Sequence, residues 1–235
     1  TAARRLFQLG LALLLVGAGL YLADNLNAVR SHQQALRADE LQQQGETVPE
    51  DLAAGRDAWN EKVAMMQPDQ ASKEAIIAKN QGGYLSALKV RAETTYWIQS
   101  EYHYRYSYFD ILSMMLIGMA LFKWRVFQAE LPARTYFVMI LFGYGFGIPL
   151  SCYETSTYAA ENFALDAYYR LSVTYDLGRV LMVTGHLGVI ALFCQSGRLA
   201  WLRSTLAAVG RMALTNYILQ TVITTTVFVG LAQFG

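Results

Sequence analysis

The sequence predicts an all-α, polytopic membrane helix bundle of about five spanning helices with a helical extracytoplasmic insertion, and three observations predict it. Of 235 residues, 54% are hydrophobic and 16% are charged, against about 25% charged in an average soluble domain. Most charges fall between Asp24 and Asp110, and the rest of the chain is nearly free of them. Four runs meet or approach the roughly 20 apolar residues that a spanning helix needs: Leu6 to Ala23, Thr135 to Ser151, Thr174 to Cys194 and Leu206 to Leu231.

Residues 1–24 read as the first spanning helix. Arg4 and Arg5 before the apolar run resemble the start of a signal peptide, but the following GLYLADNL holds no good small-x-small cleavage site, so the helix is retained. The opening TAARRLFQ has no initiator methionine and the closing LAQFG has no polar tail, which predicts a fragment of a longer protein.

Residues 25–107 form the extracytoplasmic insertion. LNAVRSHQQALRADELQQQGE and EDLAAGRDAWNEKVAMM are rich in Ala, Leu, Gln and Glu, with Gly45 and Pro49 between them, and predict two short helices. After breaks at Gln67-Pro68 and Gly82-Gly83, Leu85, Leu88, Ala92 and Tyr96 recur at helical spacing. The insertion ends in the aromatic stretch YWIQSEYHYRYSYF, whose rings with polar handles suit the headgroup zone as an anchor. A stacking platform for an external sugar or lipid headgroup is the sharper alternative.

Residues 108–235 read as a four-helix membrane bundle. Its first member, Tyr108 to Phe122, is short and spans only if its aromatic and cationic ends lie at the interfaces. The second contains FGYGFGIP, Phe142 to Pro149; with no preceding strand, this predicts close helix approach or a proline kink, not a phosphate cradle. Arg4, Arg5, Lys123, Arg125, Arg134, Arg198 and Arg203 fall on one side if every segment crosses, while the opposite short loop holds Glu154, Glu161 and Asp166 against Arg170. The positive-inside rule then puts the amino terminus inside and residues 24–107 outside, which in a bacterium means the periplasm or external surface of a multi-pass protein.

Several roles are excluded or unsupported. A net charge of +1 with no basic groove argues against nucleic acid. Cys152 and Cys194 are predicted near opposite membrane faces, too far apart for a disulfide. No metal-ligand spacing, nucleophile elbow or CxxC occurs, and no motif calls for a cofactor.

Ionisable residues within spanning segments are functional candidates because burial in lipid costs several kcal/mol unless they pair. Asp176, Arg179 and His186 share one side of their helix, with Arg179 about 60° and His186 about 80° from Asp176. Asp176 and Arg179 are predicted as a local ion pair near the outer end. His186, about 15 Å deeper, is either a packing histidine or a general base, proton relay or ligand contact. In the last segment Asn216, Gln220 and Thr224 form one stripe, and Arg211 and Thr215 another roughly opposite, which predicts a central helix with Arg211 reaching the cytoplasmic face. Equal depth on consecutive helices further predicts that His186 is held by Asn216 or Gln220.

The stretch VGRMALTNYILQT, Val209 to Thr221, closely resembles the signature of the YeiB-like family of bacterial inner-membrane proteins (domain of unknown function 418), which reads GRMALTNYLLQS; Ile218 and Thr221 depart mildly. DILSMMLIGMALFK, Asp110 to Lys123, and GGYLSALKVR, Gly82 to Arg91, are similar to two weaker motifs of that family. The family's amino-terminal Arg-Gly helix and its closing segment rich in Pro, Glu and Trp have no counterpart here, which agrees with the fragment reading. The resemblance implies no catalytic residue. Its wider similarity to polytopic membrane acyltransferases implies a lipid or acyl-donor substrate. Three functions compete: an acyltransferase-like enzyme with His186 as base and Arg211 attracting an anionic donor, a transporter whose polar stripes line a path, and a membrane scaffold.

Overall fold

A computed structural model describes residues 2–228, less the side chains of Tyr84, Arg105, Tyr106 and Phe228. Among the described residues every regular element is helical. Three helical stretches are long and apolar enough to cross a membrane: Ala2–Gln43, Ala133–Ala160 and Leu165–Gln195. In their most apolar windows only 11%, 17% and 28% of the residues are buried inside the protein. Helices this apolar that cover so little of themselves use lipid as their solvent, and the fold is an all-α membrane bundle.

The chain divides into two compact units, Thr1–Gln67 with Tyr106–Ser196, and Pro68–Arg105 with Gly197–Gly235. In the first unit, α1 (Ala2–Gln43) packs along α5 (Tyr108–Lys123), and α6 (Ala133–Ala160) packs along α8 (Tyr175–Gln195). Both seams are lined by glycine. A Cβ at Gly10 would lie 2.9 Å from the Ile117 side chain and 3.0 Å from the Ser113 carbonyl oxygen, and one at Gly17 would lie 3.1 Å from Phe109. Gly143 meets the backbone of Leu181 and Gly185, and Gly188 meets that of Tyr136. The missing side chains let two backbones approach, the usual basis of helix association where water supplies no hydrophobic drive. The FGYGFGIP stretch is therefore a packing seam, with Pro149 carried inside α6.

Three predicted spans coincide with these long helices, and the others differ. Helix α1 does not end near Ala23 but continues to Gln43, because good helix formers follow the apolar run without a breaker. It stops where Gly45 takes φ 74° and the Glu46 N–H bonds the Leu41 carbonyl. Helix α2 (Glu50–Met66) then folds back onto α1, with His32 and Trp59 ring centroids 4.4 Å apart and Arg56 donating to Gln42 at 2.7 Å. Helix α5 has 16 residues, about 24 Å, short of the roughly 30 Å hydrocarbon core.

One end of the first unit is closed by Tyr136, which is wholly buried among Val126 and Ala191 and donates its hydroxyl to the Val126 carbonyl at 3.0 Å. Gln195, closing α8, donates to the carbonyls of Ala129 and Leu131, both at 2.7 Å. At the opposite end, the short helix α7 (Leu165–Leu171) and a 3₁₀ turn at Ser172–Thr174 lead into α8.

The second unit holds α3 (Gln70–Gln81), α4 (Tyr84–Trp97), α9 (Ala200–Arg211) and α10 (Ala213–Phe228). Helix α4 runs into a π-helical stretch, Ile98–Ser107, in which Tyr104 is 65% exposed. The apolar run from Leu206 to Leu231 is not one continuous helix. It breaks at Met212, and its last three residues lie outside those described.

Candidate functional site

Asp110 lies in the first turn of α5 and Asp176 in that of α8, each where a preceding helical segment runs on into the α-helix. One turn further along α8, Arg179 faces both. It donates to the two Asp110 oxygens at 2.8 and 2.5 Å and to Asp176 at 2.7 Å. The fork geometry of guanidinium matches a carboxylate in this bidentate way, whereas lysine offers only a point charge. The three side chains keep 35%, 24% and 26% of their surface exposed, for Asp110, Asp176 and Arg179 respectively. Two carboxylates against one guanidinium leave a formal charge of −1.

Aromatic rings surround this cluster. The Arg179 guanidinium lies 5.6 Å from the centroid of the Tyr175 ring, and Tyr21 of α1 lies 6.3 Å from the same ring. The Arg179 Nε is buried and has no hydrogen-bond partner among the described residues. The cluster thus joins α1, α5 and α8 at the end of the bundle opposite Tyr136.

Of the residues singled out in the sequence, Asp176 and Arg179 lie together and His186 lies apart. His186 is exposed on α8, its Nδ1 is 2.6 Å from the Met182 carbonyl oxygen, and its ring stands edge-on to Tyr144 at 5.4 Å. A carbonyl oxygen only accepts, so Nδ1 carries the proton and Nε2 holds the lone pair. Within its own unit the orienting partner of His186 is therefore Met182, one helical turn back.

The other candidates belong to the second unit. Arg211 ends α9, whereas Thr215, Asn216 and Gln220 lie on α10, and all four are exposed. The predicted stripe of Arg211 and Thr215 on one helix is corrected by the break at Met212. Gly210 weakens the helix there, and the Met212 N–H is shared between the Ala208 and Val209 carbonyls at 3.2 and 3.1 Å. Asn216 then reaches back, its Nδ2 lying 3.4 Å from the Val209 carbonyl oxygen, while its own N–H bonds the Met212 carbonyl at 2.9 Å. The asparagine of the signature thus adds a second, longer contact to a carbonyl that already accepts the Met212 N–H.

Sequence reasoning missed Asp110. The available signal was a lone carboxylate opening an otherwise apolar segment, which lipid makes expensive without a partner. Its partner lies too far along the chain for any local spacing to reveal it. Cys152 and Cys194 are not joined in a disulfide, and no cluster of metal-binding side chains occurs among the described residues.

Residues 121–235 match the family described as Protein of unknown function (DUF418). The match covers just under half of the chain and supports a DUF418 assignment. A curated relative, the uncharacterized protein YeiB of Escherichia coli (strain K12), is 34% identical over 134 residues, which cover 53% of this chain and 33% of the relative. The chain thus spans about a third of the length of the relative it matches. No solved structure matches. The DUF418 region contains the α6–α8 seam, Asp176, Arg179, His186 and the GRMALTNY stretch, and Asp110 lies before it.

Proposed function

We propose that this chain forms part of a multi-pass acyl-transfer catalyst of the bacterial inner membrane, with His186 as general base. The observation that supports the reading is the Nδ1 contact to the Met182 carbonyl, 2.6 Å long, which leaves Nε2 as the basic nitrogen on an exposed ring. A neutral imidazole in that tautomer presents Nε2 as an acceptor for a proton.

In this reading Nε2 takes the proton from an acceptor hydroxyl. The hydroxyl oxygen bonds to the acyl carbon of a thioester donor, the carbon–sulfur bond breaks, and the imidazolium returns the proton to the leaving thiolate. The hydrogen bond to Met182 holds the ring through both transfers, and Tyr144 limits its rotation from the side.

The test uses membranes containing the full-length protein, labelled acetyl-CoA, and a count of label in hydroxylated lipid and glycan fractions. His186→Gln retains hydrogen bonding and cannot exchange a proton, so transfer should fall about 100-fold or more at unchanged membrane level. Equal transfer by the Gln variant would remove His186 from the role of base. No transfer by the wild type from labelled short- or long-chain acyl-CoA would end the acyl-transfer reading.

A further inference from the structure

Beside the ionic cluster, and separate from His186, the ends of α6, α7 and α8 enclose an open hollow of about 180 Å³. Its walls include Tyr158, Tyr168, Tyr175, Ser172 and the carboxylate of Glu154. We propose that this hollow binds a small organic ammonium group, with the aromatic rings facing the cation and Glu154 neutralising it.

The composition of the walls points to this class. Ring faces attract cations through their quadrupole, most strongly where water is partly excluded. Tyr175 already takes part in such a contact, since the Arg179 guanidinium lies 5.6 Å from its centroid. Glu154 is the one charged residue among those lining the hollow, and no basic side chain lines it. The Thr174 hydroxyl donates to Glu154 Oε1, and Oε2 has no hydrogen-bond partner among the described residues.

The neighbouring cations are already engaged. Arg170 is tied to Glu161 and Asp166, and Arg179 to Asp110 and Asp176. Between residues 154 and 179 the chain carries four acids and two bases, so the surrounding field also favours a cation. The volume is below the roughly 300–1,000 Å³ of sites for drug-sized molecules, which restricts the ligand to a headgroup or a small free amine.

The experiment is calorimetric titration of the detergent-solubilised full-length protein with tetramethylammonium chloride, against sodium chloride at equal ionic strength. Saturable binding is expected for the wild type. Glu154→Gln, which keeps an oxygen for the Thr174 hydroxyl, should weaken it at least tenfold, and Tyr158→Leu should do the same if the Gln variant fails to fold. The absence of saturable heat, or unchanged affinity in the folded variant, overturns the proposal. Nanodiscs distinguish the source of the ligand. A lipid headgroup would compete, so affinity would be lower in phosphatidylethanolamine discs than in discs of an uncharged galactolipid that lacks an amine, whereas a site for free amines would bind equally in both.

Discussion

Arg179 grips Asp110, 69 residues earlier in the chain, through two hydrogen bonds of 2.8 and 2.5 Å. The contact fastens α8 to α5 at a point where the two helices otherwise touch little. Asp110→Asn should therefore lower stability by about 1–2 kcal/mol. That is less than the roughly 3–5 kcal/mol lost when a fully buried pair is broken, because Asp110 and Arg179 keep 35% and 26% of their side-chain surface exposed. Thermal melting of the detergent-solubilised variant measures it, with Asp110→Asn/Arg179→Gln completing a double-mutant cycle. A coupling of zero would mean that the pair contributes nothing to holding the bundle together.

The α6–α8 seam predicts a contrast between two glycines on one helix. Gly143→Val has no room, since any Cβ there meets the α8 backbone, whereas Gly145 faces open space. Overpacking should cost about 1–3 kcal/mol or more at Gly143, and Gly145→Ala should be neutral or slightly stabilising. Equal melting temperatures for the two variants would contradict the seam.

Asn216→Asp tests the helix break at Met212. The ionised aspartate matches asparagine in shape but has no proton to donate to the Val209 carbonyl. A long contact of 3.4 Å places the loss at the low end of hydrogen-bond values, about 0.5 kcal/mol. The clearer readout is geometric: spin labels at Ser204 and Thr224 should give a broader distance distribution in the variant. A distribution identical to that of the wild type would assign Asn216 another task.

Asp69 predicts a pH dependence outside the membrane. It caps α3 by accepting from the Ser72 N–H at 2.8 Å, and hydrogen bonding to Ser72 holds its carboxyl below its ordinary value of 3.8. A folded-state value below the unfolded one means that the cap stabilises α3 fully above about pH 4. The contribution is lost as pH falls through the lower folded value. Helicity of α3 should drop over that acid range in the wild type and show no such step in Asp69→Ala. A step of equal size in the variant would assign the transition to another group.

Topology can be tested on α2. A thiol introduced at Glu61, in a background with Cys152 and Cys194 replaced by serine, should react with a membrane-impermeant reagent in intact spheroplasts. Reaction only after lysis would place α2 in the cytoplasm.

The legible parts of the fold were those written in contiguous residues. Long apolar runs announced three membrane-length helices, and Asp176 and Arg179, three residues apart on one helix, announced their pairing. Asp110 was hidden because its partner is set by tertiary packing. The length of α1 was misjudged because hydropathy changes at Asp24 while helix propensity does not. The break at Met212 was obscured by apolar residues on both sides, for hydropathy records the solvent and not the continuity of the backbone ladder. His186 was legible as a candidate, but its tautomer depends on a carbonyl of its own helix and has no side-chain signature.

The 42 residues of α1 make a rod of about 63 Å, roughly twice the ~30 Å hydrocarbon thickness. No proline interrupts it, so it has no built-in joint. Its upper arm is gripped by α2 at Trp59 and its lower arm by α5 at Gly10 and Gly17, while Phe7 rests on Trp124 at its base. Such a rod carries its contacts with α2 and with α5 on one unbroken ladder of backbone hydrogen bonds, although an apolar layer covers only about half of its length.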